Sequence, residues 1–211
     1  MNIDFSNRKG YFFDLDGVVF STEDQYTIFW GGQCRIYHPE EPGLENKIKG
    51  QTLTEIFANL FSGELEKERP VVNERLRAYE SQMTFDYVAG LEAFVKQLKS
   101  RDMKTAIVTS SNRSKMESVY RQRPEIKEYF DAIFTSEDFA ESKPSPCPYL
   151  TAAKHFGLEP EECVVFEDSF NGIKAGMAAG MYTVGLATTN SREDIATMCN
   201  VVVGDFREVE E

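Results

Sequence analysis

The chain has 211 residues, of which 41% are hydrophobic and 27% are charged, and its formal net charge is −12. This length allows one globular domain with a sizeable core, or such a domain with a small insertion. The acidic charge disfavours nucleic acid and anionic membranes as partners. It is compatible with a small phosphorylated ligand, because a bound metal ion can reverse the local field.

Three features of the sequence predict a cytoplasmic protein. The four cysteines are widely spaced and form no C-x-x-C pair, which favours free thiols over a disulfide framework or a zinc site. The stretch "MNIDFSNRKG" lacks the apolar segment of a signal peptide, and no apolar run approaches the ~20 residues that a membrane span needs. We expect a cytoplasmic monomer.

Short apolar runs rich in β-branched and aromatic residues predict strands along most of the chain. In chain order they are "GYFFD", "KTAIVT", "FDAIFT", "CVVFE", "MYTVGLA" and Val201–Val203. The runs are continuous rather than alternating, which is typical of strands that are covered on both faces. They therefore favour a parallel sheet buried between helices.

Helical patterns separate these runs. Leu91, Phe94, Val95 and Leu98 follow the i, i+3, i+4, i+7 spacing of one helix face. The stretches "SKMESVYRQ", "PCPYLTAAKHF" and "SFNGIKAGMAAGM" are also predicted helices, and Gly157 would end the second of them. Strand and helix in this alternation predict βαβ units and an α/β fold with a doubly wound parallel sheet.

One long segment interrupts the alternation directly after the first strand. Residues 20–84 contain no clear strand pattern, and the segment is too long for a strand-to-helix loop. Val72, Leu76, Tyr79 and Met83 are spaced for one helix face, and Pro70 suits a helix N-terminus. We predict a small helical domain at 20–84, inserted into an α/β core formed by 1–19 and 85–211.

Polar side chains stand just after several of the predicted strands. In open parallel sheets, ligands bind at the carboxyl ends of the strands, so these side chains are expected to converge. The set consists of Asp14 and Asp16 after the first strand, Thr109 and Ser110 after the second, Lys143 between the third and fourth, and Glu167 and Asp168 at the fourth. Taken singly, these residues have ordinary explanations such as turns, helix caps and surface charges. Their order and strand-end placement together favour a site.

The residue types in this set suit phosphoryl transfer. Clustered carboxylates repel one another and need a cation, and hard oxygen ligands select Mg²⁺. A metal ion and a lysine can neutralise a phosphate, while one carboxylate attacks phosphorus and a second one handles the proton. Gly17 lets the chain turn so that Asp16 can face the site. The sequence therefore predicts a Mg²⁺-dependent enzyme that acts on a phosphate ester.

Four motifs resemble those of the haloacid dehalogenase superfamily, and within it the β-phosphoglucomutase-like phosphatases. They are "FFDLDGVV", "IVTSSN", "SKPSP" and "VVFEDSFNGIKAG" followed by "AAGM". The resemblance implies a Rossmann-like core with a helical cap that closes over the active site. It also implies hydrolysis of a small, sugar-phosphate-like metabolite through an aspartyl-phosphate, with Mg²⁺ as cofactor.

The resemblance further implies a role for each matched residue. Asp14 would be the nucleophile and a Mg²⁺ ligand, and Asp16 would be the general acid/base that also offers its main-chain carbonyl to Mg²⁺. Thr109, with the amide of Ser110, would hold the transferring phosphoryl group, and Lys143 would bridge Asp14 and the phosphate. Asp168 would ligate Mg²⁺, and Glu167 would ligate it or orient its water. Ser110, Ser111, Lys49 and Gln51 are the candidate substrate-binding residues.

Three alternatives differ in what the protein does with the phosphoryl group. The sugar-phosphate mutases of this group have a histidine in the first cap helix and an arginine after a Lys-Gly pair, where this chain has Tyr26 and Leu53. These departures favour a phosphatase over a β-phosphoglucomutase-type isomerase. A non-catalytic phosphate-binding module on the same fold is disfavoured because Asp14 and Asp16 are both present. Asp16 also argues against dehalogenation, because the dehalogenases of the superfamily lack it.

Overall fold

The computed structural model describes residues 5–48 and 51–209. Its sheet has six parallel strands in these ranges, in the order β3-β2-β1-β4-β5-β6. The strands are β1 Gly10–Phe13, β2 Lys104–Val108, β3 Ala132–Phe134, β4 Cys163–Glu167, β5 Tyr182–Leu186 and β6 Val201–Val203. Every predicted strand is confirmed, and so is the α/β fold class.

The central strand, β1, lies between β2 and β4, and its side chains are buried on both faces of the sheet. Phe13 points to one face, where its ring stacks on that of Phe166 with the ring centroids 4.8 Å apart. Phe12 points to the other face and belongs to a separate buried cluster with Val165 and Tyr149. This double burial is the reason that the strand is an unbroken apolar run.

Helices cover both faces of the sheet, as expected for a doubly wound fold. Their bounds are α4 Leu91–Ser100, α5 Arg113–Gln122, α6 Ile126–Tyr129, α7 Cys147–Phe156, α8 Phe170–Ala178 and α9 Arg192–Ile195. Apolar residues of α4 and α5 pack in the cluster around Phe13, whereas those of α7 and α8 pack in the cluster around Phe12. Gly157 ends α7 with a φ of 66°, as predicted from the sequence.

The segment between β1 and α4 is helical, and its elements are α1 Glu23–Tyr37, α2 Leu53–Leu60 and α3 Arg69–Glu80. Their apolar faces form a buried cluster of their own, in which Phe29 and Trp30 contact each other edge to face. The predicted helix around Pro70 is confirmed, but it ends at Glu80, so Met83 does not continue its face. Met83 instead packs in the cluster around Phe13. We call α1–α3 and their connections the cap; its limits at 20 and 84 stay a prediction.

The two crossings between core and cap lie side by side. Phe20 forms an isolated antiparallel bridge with Tyr87, and the two rings stack with their centroids 4.9 Å apart. The amide of Ser21 donates to the carbonyl of Asp86 at 2.8 Å. In the part of the chain that the structure describes, no helix has the length and apolar character needed to cross a membrane.

Candidate active site

The strand order brings the two acidic motifs together at one edge of the sheet. Phe13 of β1 pairs in register with Phe166 of β4, and the amide of Asp14 donates to the carbonyl of Phe166 at 3.0 Å. Asp14 therefore lies next to Glu167, which is the last residue of β4. Carboxylate oxygens of Asp14, Glu167 and Asp168 lie within 4.8 Å of one another.

Lys143 joins Asp14 to Glu167. Its Nζ donates to Asp14 Oδ1 at 2.5 Å, to Glu167 Oε1 at 2.6 Å and to the carbonyl of Val108 at 2.8 Å. Its side chain is only 4% exposed. Burial alone would lower the pKa of Lys143, but the two carboxylates outweigh it and raise that pKa. Lys143 is thus a permanent cation beside the predicted nucleophile.

Glu167 is fully buried, and both of its carboxylate oxygens already accept hydrogen bonds. Besides Lys143, Oε1 accepts from the hydroxyl of Tyr149 at 2.7 Å. Oε2 accepts from the amide of Asp168 at 3.1 Å and from the hydroxyl of Ser169 at 3.1 Å. A Cβ at Gly172 would collide with this carboxylate, so the glycine leaves room for it at the start of α8. Its two predicted roles, to ligate Mg²⁺ or to orient a water of that ion, stay predictions, whereas the contacts show a third one, which is to hold Lys143.

Three polar residues that follow β5 also support the acidic edge. The hydroxyl of Thr189 donates to Asp168 Oδ2, and Asn190 Nδ2 donates to the main-chain carbonyl of Asp168 at 2.8 Å. Thr188 donates to the carbonyl of Gly17 at 2.6 Å. These residues are not among those predicted from the sequence, although the polar run "TTN" after a predicted strand is a signal of the same kind as "TSSN".

The electrostatics of this edge fit a divalent cation. Burial raises the pKa of Asp14 to about 7, and the charges of Glu167 and Asp16 add to this, although Lys143 opposes it. Burial and the charges of Glu167 and Asp14 also raise the pKa of Asp168 well above its usual value. A donor set made of carboxylate oxygens suits Mg²⁺. Asp14 and Asp168 are the residues best placed to hold the ion.

Asp16 stands slightly apart, and neighbouring donors reach both of its carboxylate oxygens. The hydroxyl of Thr22 donates to Oδ1 at 2.7 Å, and that of Ser111 donates to Oδ2 at 3.1 Å. The Nζ of Lys115 also donates to Oδ2. Burial alone would raise the pKa of Asp16, but the charge and hydrogen bond of Lys115 lower it overall. Lys115 is not among the residues predicted from the sequence, because a lysine in a helix usually lies in solvent.

The hydroxyl-rich stretch after β2 forms the adjoining part of the site. Thr109 is buried, and its Oγ1 accepts from the amide of Ser111 at 3.0 Å. Ser110 is exposed and lines the cavity described next. Asn112 caps α5 by accepting from the amide of Lys115 at 2.9 Å. The structure therefore brings Thr109, Ser110 and Ser111 to the same strand-end edge as the carboxylates.

A cavity of about 240 Å³ separates this edge from the cap. From the core it is lined by Asp14, Asp16, Thr109, Ser110, Ser111, Asn112, Lys115, Lys143, Asp168, Ser169 and Asn171. Gln51, a predicted substrate-binding residue, lines it from the cap, as do Tyr26, Leu53 and Arg77. Lys49, the other predicted cap contact, lies outside the described residues. The predicted core residues other than Glu167, together with Gln51, therefore face one cavity, which is the candidate active site.

A polar contact closes one side of the cavity. Asn171, in the first turn of α8, donates to both carboxylate oxygens of Glu55 in α2, at 3.0 and 2.9 Å. Glu55 also forms a capping box with Thr52 at the start of α2. The start of α2, which includes Leu53 and directly follows Gln51 and Thr52, is thereby held against the core next to Asp168.

Comparisons with known proteins agree with this geometry. Validoxylamine A 7'-phosphate phosphatase of Streptomyces hygroscopicus subsp. limoneus is 28% identical over 201 residues, which is 93% of each chain. The β-phosphoglucomutase of Bacillus subtilis (strain 168) is 28% identical over 84% of this chain and 83% of its own length.

A solved structure and a family profile also cover most of the chain. The structure, a family IA, variant 3 HAD hydrolase from Entamoeba histolytica HM-1:IMSS, has a TM-score of 0.80 and 22% identity over 96% of this chain and 95% of its own, which shows a shared fold. The family profile "Haloacid dehalogenase-like hydrolase" matches residues 11–195. The chain belongs to the haloacid dehalogenase-like hydrolase family.

Proposed function

We propose that the protein is a Mg²⁺-dependent phosphatase that hydrolyses a small, sugar-phosphate-like monoester through an aspartyl-phosphate. One observation carries the proposal. The Asp14 carboxylate is paired with the buried Lys143 within an acidic cluster, and it faces the cavity beneath the cap. The match to the family and the phosphatase among its relatives support the reaction class, phosphoric monoester hydrolysis.

The first half of the reaction transfers the phosphoryl group to Asp14. An Asp14 oxygen attacks phosphorus, and the bond from phosphorus to the ester oxygen breaks. Asp16 gives a proton to the departing oxygen; because Lys115 lowers the pKa of Asp16, the carboxylate has to take up this proton before the step. Lys143 and the hydroxyl of Thr109 stabilise the negative charge on the transferring group. The alcohol leaves, and the carboxylate of Asp14 carries the phosphoryl group.

The second half releases inorganic phosphate. Asp16, now ionised, takes a proton from water, whose oxygen attacks phosphorus while the bond to Asp14 breaks. Thr22 and Ser111 hold Asp16 in place for both steps. The cap keeps bulk water away, so that only a positioned water reacts.

Asp14, Asp168 and the main-chain carbonyl of Asp16 would hold Mg²⁺, with Glu167 supporting Lys143 beside them. The bound ion would offset the repulsion within the cluster and favour approach of the dianionic phosphate. The raised pKa values of Asp14 and Asp168 support this assignment, because they indicate carboxylates that lack enough compensating positive charge.

A mutase of the β-phosphoglucomutase type is the second candidate, and it depends on the cap. The similarity to the β-phosphoglucomutase of Bacillus subtilis favours this candidate. Arg77, which lines the cavity, also favours it, since a guanidinium can bind a second phosphate bidentately. Against it, Leu53 offers no such group. The hydroxyl of Tyr26 is already engaged, because it accepts from Lys115 and donates to Glu80. We therefore favour hydrolysis.

Two measurements test the proposal. The first is phosphate release with Mg²⁺ from a panel of phosphorylated metabolites, with a chelator as control; turnover undiminished in chelator would contradict the metal role. The second is incubation with β-glucose 1-phosphate and a trace of its bisphosphate. Free phosphate without glucose 6-phosphate supports the phosphatase, whereas glucose 6-phosphate that forms faster than free phosphate identifies the mutase.

A further inference from the structure

A buried lysine outside the predicted catalytic set contacts the acid/base residue. Lys115 lies in the first turn of α5, and its side chain is only 2% exposed. Its ammonium group donates to Asp16 Oδ2 and, at 2.5 Å, to the hydroxyl of Tyr26 in the cap. It also lies 4.8 Å from the centroid of the Tyr26 ring. One cation of the core therefore touches both the catalytic machinery and the cap.

Tyr26 extends the contact of Lys115 from α1 of the cap to α3. The hydroxyl of Tyr26, in α1, donates to Glu80 Oε1 at the end of α3 over 3.0 Å. Tyr79, the neighbour of Glu80, donates its own hydroxyl to the carbonyl of Gln25 at 2.9 Å. The ends of α1 and α3 are thus joined to each other, and Tyr26 joins them to Lys115.

The remaining donors to Asp16 come from elsewhere in the fold. Thr22 stands at the crossing into the cap and reaches Oδ1, whereas Ser111 stands in the loop after β2 and reaches Oδ2. Among the groups whose contacts with Asp16 the structure describes, Lys115 is the one that brings a positive charge. Its removal would leave Oδ2 with a single neutral donor, so the carboxylate could rotate.

We propose that Lys115 is a positioning residue, which orients the Asp16 carboxylate for proton transfer while helices α1 and α3 of the cap rest on the core. The inference depends on the proposed function, because it takes Asp16 to be the acid/base. Tyr26 provides the link: when the cap is docked, its hydroxyl and ring hold the ammonium group against Asp16. Lys115 needs no contact with the substrate in this role, so it affects turnover rather than binding.

The step most sensitive to this role is hydrolysis of the aspartyl-phosphate. With p-nitrophenyl phosphate the leaving group departs without a proton, so Asp14 can be phosphorylated even when Asp16 is misplaced. The following attack by water does need Asp16 as base. A positioning defect at Asp16 therefore predicts that the phosphoenzyme accumulates.

The test compares Lys115→Met with wild type and with Lys154→Met, which removes the same charge from an exposed position on α7. Phosphoenzyme is measured after acid quench during turnover of p-nitrophenyl phosphate with Mg²⁺, together with kcat, KM and the urea midpoint. We expect Lys115→Met to lower kcat at least about tenfold, which is less than the ~10²–10⁴-fold of a lost general base because Asp16 is misplaced but still present. Phosphoenzyme should become the main steady-state species and KM should not rise. Lys154→Met should match wild type.

Tyr26→Phe separates the cap link from the ion pair, because it keeps the ring beside Lys115 and removes only the hydroxyl. We expect a smaller fall in kcat with the same rise in phosphoenzyme. Wild-type phosphoenzyme levels in Tyr26→Phe would overturn the cap link.

Three outcomes for Lys115→Met would overturn the inference. The first is a phosphoenzyme that hydrolyses at the wild-type rate. The second is a rise in KM with kcat unchanged, which would make Lys115 a substrate contact. The third is a lower urea midpoint with an equal loss of phosphorylation and hydrolysis, which would make it a structural ion pair. Wild-type enzyme that releases phosphate without any phosphoenzyme, even in single-turnover samples quenched before the first turnover is complete, would instead refute the proposed function, so the two failures are distinguishable.

Discussion

Replacing Lys143 by methionine should destabilise the protein in a manner that depends on pH and on Mg²⁺. The ammonium group compensates two buried carboxylates, since Asp14 is 14% exposed and Glu167 is fully buried. Methionine fills a similar volume but carries no charge. Both carboxylates would then face each other and Asp168 in a region of low polarity.

The magnitude follows from the burial of the pair. Breaking a buried ion pair by removing one partner costs about 3–5 kcal/mol. For a chain of this size each kcal/mol lowers Tm by roughly 2–4 °C, so we expect a fall of about 6–20 °C at pH 8 in chelator. At lower pH the cost should shrink, because Asp14, whose pKa is about 7 even beside Lys143, can take up a proton. Added Mg²⁺ should also restore stability, because it binds the folded state and supplies positive charge.

The assay is urea unfolding of Lys143→Met and wild type at pH 5.5 and pH 8, each with chelator and with Mg²⁺. Lys154→Met is the matched control, since it loses the same charge at an exposed site. An unfolding free energy equal to that of wild type at pH 8 in chelator would refute the burial argument. If Lys143→Met loses the same unfolding free energy at both pH values, the pH dependence that we attribute to protonation of Asp14 is refuted.

The other predictions concern the carboxylates. Asp14→Asn should abolish turnover, because an amide forms no aspartyl-phosphate; single-turnover assays with acid quench would check this. Asp16→Asn should lower kcat ~10²–10⁴-fold, measured as phosphate release, and wild-type turnover would contradict its role. In chelator, the stability of Asp14→Asn relative to wild type should rise with pH by up to about 4 kcal/mol. Because the pKa of Asp14 is raised from 3.8 to about 7 in the folded protein, the protonated carboxyl stabilises the wild-type fold below pH 3.8, and this stabilisation is lost as the pH rises through about 7. Urea titrations of both proteins at pH 4 and pH 8 would show the difference. Asp168→Ala should weaken Mn²⁺ binding, followed by electron paramagnetic resonance, far more than it lowers Tm.

The sequence was sufficient to predict the sheet and the position of Asp14, Glu167 and Asp168 at its edge. Continuous apolar runs identify buried parallel strands, and the residues that follow neighbouring strands must meet. Thr189 also lies just after a strand, so its place beside Asp168 could have been predicted from the polar run that follows β5.

Other features depend on tertiary contacts that no local pattern encodes. Lys115 has the helical position and the residue type of a surface lysine, and only the packing of α5 against the cap buries it. Met83 continues the spacing of α3, but the helix ends three residues earlier. The sequence likewise gives the identity of Glu167, whereas the structure shows that its oxygens are occupied by Lys143, Tyr149 and the start of α8.

The strand order also has a consequence for the order in which the parts assemble during synthesis. Gly10–Phe13 precedes the other strands of the sheet in the chain, yet its neighbours in the finished sheet begin at Lys104 and Cys163. Pairings so distant in sequence are slow to form, because a long loop must close before any contact compensates its entropy. The helices between Glu23 and Glu80 have a buried cluster of their own and can pack early. Asp14 is therefore synthesised early, but Glu167 and Asp168 can join it only after the long intervening segment and β4 have been made.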